Sequence, residues 1–143
     1  MSSLDFLPTF CRLAGAELPV DLALDGTSFE PILDGEPVSR SKPLFWCYFN
    51  AINERRVAMR DGPWKLLAKL DGGAFPKIAN VHDGNVAAVR AARLTDFQLF
   101  RVVADVAEQV DVGAGHPAEL EAMRRKLEEA YAELAAHAHY WRR

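Results

Sequence analysis

The chain has little of what most single-feature readings need. Its 143 residues include only two cysteines, an excess of acidic over basic residues that leaves a net charge of −3, and no apolar run approaching membrane length. A bilayer-crossing helix needs about 18 or more consecutive apolar residues, so no membrane segment is expected. With 17 basic against 20 acidic side chains there is no general attraction to a phosphate backbone, which argues against nucleic acid as a partner. No basic and then hydrophobic stretch opens the sequence; it shows no export signal and leaves the compartment open. Cys11 and Cys47 can pair or stay free, but one in an apolar helix and the other in a strand read as small hydrophobes. There is no G-x-S-x-G elbow and no G-x-x-x-x-G-K phosphate loop.

Half of the residues are hydrophobic and 26% are charged, which is globular composition. A chain of this length removes about 68–70% of its unfolded surface from water. One domain over residues 1–143 is therefore expected. Apolar residues at Leu4, Leu7, Phe10, Cys11 and Ala14 predict a helix over Leu4 to Ala14, with Ser3 as its cap and Gly15 as its stop. A long loop punctuated by Pro19, Gly26, Gly35 and Pro37 follows to Lys42, with one helical turn at Phe29 to Leu33. Strands are predicted at 44–50, 55–60, 64–70 and 97–103, with Asp61-Gly62 turning between the second and third. A short helix with a basic face suits Asn85 to Leu94.

The clearest element is the last. From Pro117, apolar residues at Leu120, Met123, Leu127, Tyr131, Leu134, Ala138 and Trp141 step by three or four, predicting a helix to about Tyr140. At roughly 36 Å for about 24 residues, it is long enough to cross a four-stranded sheet. The fold class expected is α+β: a four-stranded antiparallel sheet packed by a long C-terminal helix. Residues 1–42 form a connecting helix and loop, and residues 43–143 the sheet and its helix.

Catalytic groups are hard to find. His137 and His139 lie about 200° apart on a helix and do not share one ion readily, while His82 and His116 stand in loops without a second ligand at metal spacing. No pair of carboxylates stands out as acid and base. No catalytic and no metal-ligating residue is assigned. The aromatic run Trp46, Cys47, Tyr48, Phe49 and Asn50 is the best candidate for contact with a ligand, because such a run can line a rim and stack on a sugar or aryl ring. Trp46, Tyr48 and Asn50 are the candidate substrate-binding residues. The plainer reading is that one alternating set, Phe45, Cys47 and Phe49 or Trp46 and Tyr48, faces the core.

Several segments carry a resemblance in order along the chain. These are Ser3-Leu4-Asp5-Phe6-Leu7-Pro8-Thr9-Phe10 with Arg12-Leu13-Ala14-Gly15, Leu24-Asp25-Gly26-Thr27-Ser28-Phe29, Ile32-Leu33-Asp34-Gly35, Pro43-Leu44-Phe45-Trp46, Arg56 to Leu66, and Phe97-Gln98-Leu99-Phe100. Together they resemble the C-terminal subdomain of arylsulfatase-type, formylglycine-dependent sulfatases of the alkaline-phosphatase-like superfamily. The resemblance implies a sulfate-ester hydrolase whose nucleophile, a cysteine converted to formylglycine in a C-x-P-S-R motif, and whose calcium or other divalent cation belong to a catalytic domain upstream. Cys11 is followed by Arg12-Leu13-Ala14 and Cys47 by Tyr48-Phe49-Asn50, so neither matches that motif. The implied role is then to buttress an active site and shape its entrance, with the catalytic domain as partner and no activity alone. A helix apolar around much of its circumference at Leu4 to Ala14 further predicts self-association when that partner is absent. Two alternatives stand beside this: a stand-alone binding or assembly module, and the tail of a phosphonate or phosphate ester hydrolase of the same superfamily.

Overall fold

A computed structural model describes residues 2–18, 21, 23–50 and 54–137. The chain divides into two compact units, Met1–Leu44 and Phe45–Arg143.

The first unit is held together by polar groups. Ser2 caps a 3-10 turn, Ser3–Asp5, in a capping box: its backbone N–H donates to Asp5 Oδ2 at 2.7 Å. The turn runs on into helix α1, Phe6–Leu13. Ser2, not Ser3, is the cap, because Asp5 is the acidic residue three positions on that can reach back. The Asp5 carboxylate is 1% exposed and also accepts from Thr27 N at 3.0 Å and from Arg40 Nη1 at 2.7 and 2.8 Å. Thr9, fully buried, donates to the Asp5 carbonyl at 2.6 Å and accepts from Phe29 N at 3.0 Å. Arg40 continues to the Asp25 carbonyl at 3.1 Å, and Lys42 pairs with Asp25 at 2.8 Å. The 24–29 segment passes so close to α1 that a Cβ on Gly26 would overlap the Leu4 carbonyl, which is the physical reason for glycine there. A second 3-10 turn, Glu30–Asp34, lies where the single helical turn was expected and is tied to α1 by Arg12 and Glu30 at 2.5 Å.

The second unit is built on a sheet in the order β1 (Leu44–Tyr48), β2 (Arg56–Asp61), β3 (Trp64–Leu70) and β4 (Leu94–Arg101). It is antiparallel, with Met59, Leu66 and Leu99 opposite one another across three strands. Gly62, at φ +55°, and Pro63 make the tight turn between the paired residues Asp61 and Trp64. Helix α2 spans Val86–Ala91 and helix α3 spans Pro117–His137, which covers the inner face of the sheet. Val57, Met59, Leu66, Ala68, Leu70 and Leu99 meet Met123, Leu127, Tyr131 and Ala135 there. The α+β expectation holds.

Both ends of the fourth strand and the buried stripe of α3 differ from the sequence reading. Strand β4 begins at Leu94 rather than 97 because one residue is inserted opposite β3 between Leu67 and Lys69. Asp96 takes φ +51° there and the apolar alternation breaks. It ends at Arg101 because Ala104 and Asp105 both donate back to the Arg101 carbonyl at 3.0 Å. On α3 the fully buried positions are Met123, Leu127, Tyr131 and Ala135, while Leu120 and Leu134 are partly buried. Ala138, His139, Tyr140 and Trp141 lie outside the described residues. Between β3 and β4, Phe75, Ile78 and Val89 close one part of the core, and the Tyr131 hydroxyl donates to the Val89 carbonyl at 2.8 Å, tying α2 to α3. No helix of the described residues is long and apolar enough to cross a membrane.

Candidate functional site

Strand β1 sorts the aromatic run into two faces. Phe45, Cys47 and Phe49 pack against the core, and Phe49 meets Phe75 with ring centroids 5.7 Å apart. The alternation of a strand then turns Trp46 and Tyr48 to the other face, where they are 45% and 61% exposed. β1 stops at Tyr48, two residues short of the predicted end, and Phe49 and Asn50 enter a turn. The Asn50 Oδ1 atom is buried with no hydrogen-bond partner among the described residues, as is Arg55 Nε on the far side of residues 51–53. Those three residues lie outside the described set.

The same outer face bears charge. Since Val57 and Met59 point into the core, Arg56 and Arg60 point out, and so does Lys69, opposite Arg56 in the register. Glu54 bridges Arg56 at 2.5 Å and Lys69 at 2.9 Å, with Asp96 3.5 Å from Lys69. Hydrogen bonds from Lys69 and Arg56 hold the Glu54 carboxyl below its ordinary range, and the bond to Glu54 raises the Lys69 ammonium. This network was not anticipated from sequence; its only signal was the run of alternating charges in the 54–69 hairpin.

Chemically reactive groups are few. Burial pushes the Cys47 thiol up to about 12, which keeps it protonated and non-nucleophilic at neutral pH. Both cysteines are free and partly exposed. His82 Nδ1 accepts from Gly84 N at 3.0 Å, His116 lies 4.9 Å from the Trp64 ring, and His137 sits 3.1 Å from the Glu133 carbonyl. Among the described residues no three of His, Cys, Asp and Glu are grouped to hold a metal ion. These residues therefore do not fit the divalent cation implied for the family, nor does either cysteine fit its formylglycine motif.

A groove of about 620 Å³ between the α2–β4 region and α3 is lined by Arg90, Arg93, Arg124, Glu128 and several alanines. Two of its guanidinium groups are already engaged. Arg90 donates to the Ala135 carbonyl at 3.2 Å, and Arg124 pairs with Glu128 at 3.0 Å while lying over the Phe97 ring at 4.9 Å. The groove thus reads as a seam held by its own side chains.

No family model matches the chain. Curated relatives do. It is 42% identical to rat steryl-sulfatase over 50 residues, which are 35% of this chain and 9% of the relative, and 43% identical to bovine arylsulfatase A over 65 residues, 45% of this chain and 13% of the relative. Among solved structures, Ps i-CgsB shares the fold with a TM-score of 0.60 and 26% identity over 89% of this chain and 23% of its own. Its complex with k-i-k-neocarrahexaose gives 0.62 and 26% over 92% and 24%. A protein from Bacteroides thetaiotaomicron, described with the metabolism of multiple glycosaminoglycans, shares the fold at 0.53 and 21% identity over 93% of this chain and 24% of its own. The chain spans about a quarter of the length of these solved neighbours, and its matched segments a smaller share of the curated relatives. In sequence and in fold, this chain is related to the C-terminal subdomain of sulfatases.

Proposed function

We propose that the chain is the C-terminal portion of an enzyme that hydrolyses sulfate esters, that it forms one flank of the substrate entrance, and that it has no hydrolytic activity alone. The observation that carries this reading is the fold match over 89–93% of the chain against only 23–24% of its solved neighbours, together with the sulfatase names of its curated relatives. On this reading the nucleophile and cation of such an enzyme are supplied by its catalytic domain, in keeping with Cys11 and Cys47 standing outside a C-x-P-S-R motif.

Within that frame Trp46 and Tyr48 are the contact residues, with Asn50 at the strand end. Two exposed rings alternate on one flat face, about 7 Å apart along the strand, and offer stacking surface to a saccharide or aryl group. The neocarrahexaose held by the Ps i-CgsB complex supports a saccharide. Asn50 follows Trp46 and Tyr48 in the turn that ends the strand.

The test uses the 143-residue chain. Incubated with an aryl sulfate, with or without calcium, it is expected to give no turnover; turnover that survives Cys11→Ala and Cys47→Ala would contradict inactivity alone. Titration with neocarrahexaose is expected to change tryptophan emission in the wild type and not in Trp46→Ala. An unchanged wild-type spectrum would remove Trp46 and Tyr48 from the entrance.

A further inference from the structure

The basic residues around α2 take no part in the proposed function. Arg90, in the last turn of α2, and Arg93, just past its end, line the 620 Å³ groove against α3 together with Arg124 and Glu128. Alanine makes the groove: Ala92 on one wall and Ala132, Ala135 and Ala136 on the other are too small to fill the space between the backbones. Leu94 and Tyr131 add apolar surface, the Tyr131 hydroxyl being bonded away to the Val89 carbonyl. Arg90 and Arg124 brace the walls and use only Nε in hydrogen bonds, to the Ala135 carbonyl and to Glu128. Arg93 differs from both. Its guanidinium group has no partner among the described residues, while Asp71 pins its backbone on both sides. The Asp71 carboxylate accepts from the Arg93 N–H at 2.8 Å, and the Asp71 N–H donates to the Arg93 carbonyl at 2.8 Å. Asp71 holds φ +47° there, a conformation that is costly for a residue other than glycine.

We infer that this groove is a binding site for a small organic anion: an oxyanion group held by Arg93, with Arg90 and Arg124 beside it, on an apolar body that lies along the alanines of α3. Its volume falls in the range of about 300–1,000 Å³ that small-molecule sites occupy. Charge complementarity selects the anion. Three guanidinium groups line the groove against one carboxylate, Glu128, which Arg124 already holds. Two more carboxylates stand near without lining it: Glu121, which acts on Arg124, and Asp71, turned to the Arg93 N–H. A guanidinium group presents paired N–H donors that match the oxygens of a carboxylate, sulfate or phosphate group, and it repels a cation. The alanines and the Tyr131 ring offer nothing to a bare inorganic ion, so the ligand carries an apolar part. The groove adjoins α3, which covers the inner face of the sheet, whereas Trp46 and Tyr48 lie on the other face. The site is therefore separate from the proposed saccharide contacts and does not rest on them.

The test titrates the isotope-labelled 143-residue chain with naphthalene-2-sulfonate and follows amide chemical shifts. Saturable shifts are expected at the amides of Arg93, Leu94, Ala132 and Ala136. The uncharged naphthalene-2-sulfonamide is expected to bind at least about tenfold more weakly, having lost a charge-assisted hydrogen bond. Inorganic sulfate at the same concentrations is expected to give no saturable shift. Arg93→Gln keeps the main-chain bonds to Asp71 and is expected to weaken sulfonate binding about tenfold at unchanged Tm. Ala132→Glu, at an exposed position of α3, sets a carboxylate in the groove and is expected to abolish binding, also at unchanged Tm. A wild type without saturable shifts, shifts confined to residues outside the groove, or equal affinity in Arg93→Gln would overturn the site. Equal binding of the sulfonamide would overturn the anion, and equal binding of sulfate the apolar body. The comparison of the three probes uses the wild type alone, so it decides the case whether or not a variant keeps its fold. None of these outcomes bears on the aryl sulfate and neocarrahexaose assays, which judge the sulfatase reading separately.

Discussion

Replacing Asp5 by Asn should open the first unit locally and remove most of its acid sensitivity. The carboxylate receives three separate donors, the Ser2 and Thr27 N–H groups and the Arg40 guanidinium, within 2.7–3.0 Å. An amide of the same shape offers one acceptor oxygen and turns an NH2 toward donors. Breaking a buried, hydrogen-bonded ion pair costs about 3–5 kcal/mol when both charges are desolvated. The Arg40 side chain is 20% exposed and regains some hydration, so about 3 kcal/mol is the reasonable figure. At 1.4 kcal/mol per factor of ten, this is about a 100-fold loss of hydrogen-exchange protection at the Thr27 and Phe29 amides. The pH dependence has a definite sign. Burial alone raises the Asp5 pKa, but the bonds from Thr27, Arg40 and Ser2 outweigh it and hold the group below its ordinary value. A depressed carboxyl contributes stability that is present above its unfolded pKa, about 3.9, and is lost as pH falls through the lower folded value. Protection at Thr27 in the wild type should therefore decline below about pH 4, whereas the Asn variant should be flat across that window. A loss under about threefold, or equal acid dependence in both proteins, would refute the assignment of Asp5 as the centre of this unit.

Two further perturbations probe the other contacts. Leu127, fully buried between α3 and the sheet, should cost about 2–5 kcal/mol when cut to Ala, with a drop in the urea midpoint at unchanged m-value; a change within about 0.5 kcal/mol would mean that α3 does not dock as described. Gly26→Ala places a methyl group on the Leu4 carbonyl, and should erase amide protection at Thr27 while leaving the β2–β3 hairpin protected; retained protection at Thr27 would show that the loop can step aside.

The parts of the fold legible in the sequence were those governed by local rules. The β2–β3 hairpin was readable because Asp61-Gly62 needs a turn and the flanking residues alternate, and α3 because Pro117 opens a long periodic run. The start of β4 was not, because the inserted residue near Asp96 breaks the alternation that identifies a strand. The segments at 3–10 and 24–29 stood out individually, but their interlocking through Asp5, Thr9, Gly26 and Thr27 is a tertiary fact, and nothing local pointed to Arg40, 35 positions from Asp5. The candidate contact residues show the same limit. Both faces of β1 are aromatic, so alternation divides Phe45, Cys47 and Phe49 from Trp46 and Tyr48 without saying which set is inside. That choice is made by Phe75 and the helix-covered core, residues remote in sequence.

The two units differ in what makes them cohere, and that difference bears on how the chain can be used. The second has an ordinary apolar core in which sheet and helix cover each other. In the first, the groups nearest to full burial are a carboxylate and a hydroxyl, and the large apolar side chains of α1 lie outside. Hydrogen bonds contribute only about 0.5–1.5 kcal/mol each in net terms, and somewhat more when charged, so a polar cluster specifies geometry more readily than it supplies stability. Conformational entropy costs about 1–2 kcal/mol for each ordered backbone, and burial of apolar area is the main term that offsets it. A segment that directs its apolar side chains outward has therefore left its largest available source of stability on a surface that the described residues leave exposed. Its geometry is set internally by Asp5 and Thr9, which fix the course of α1 and of the 24–29 segment rather than supplying an apolar core.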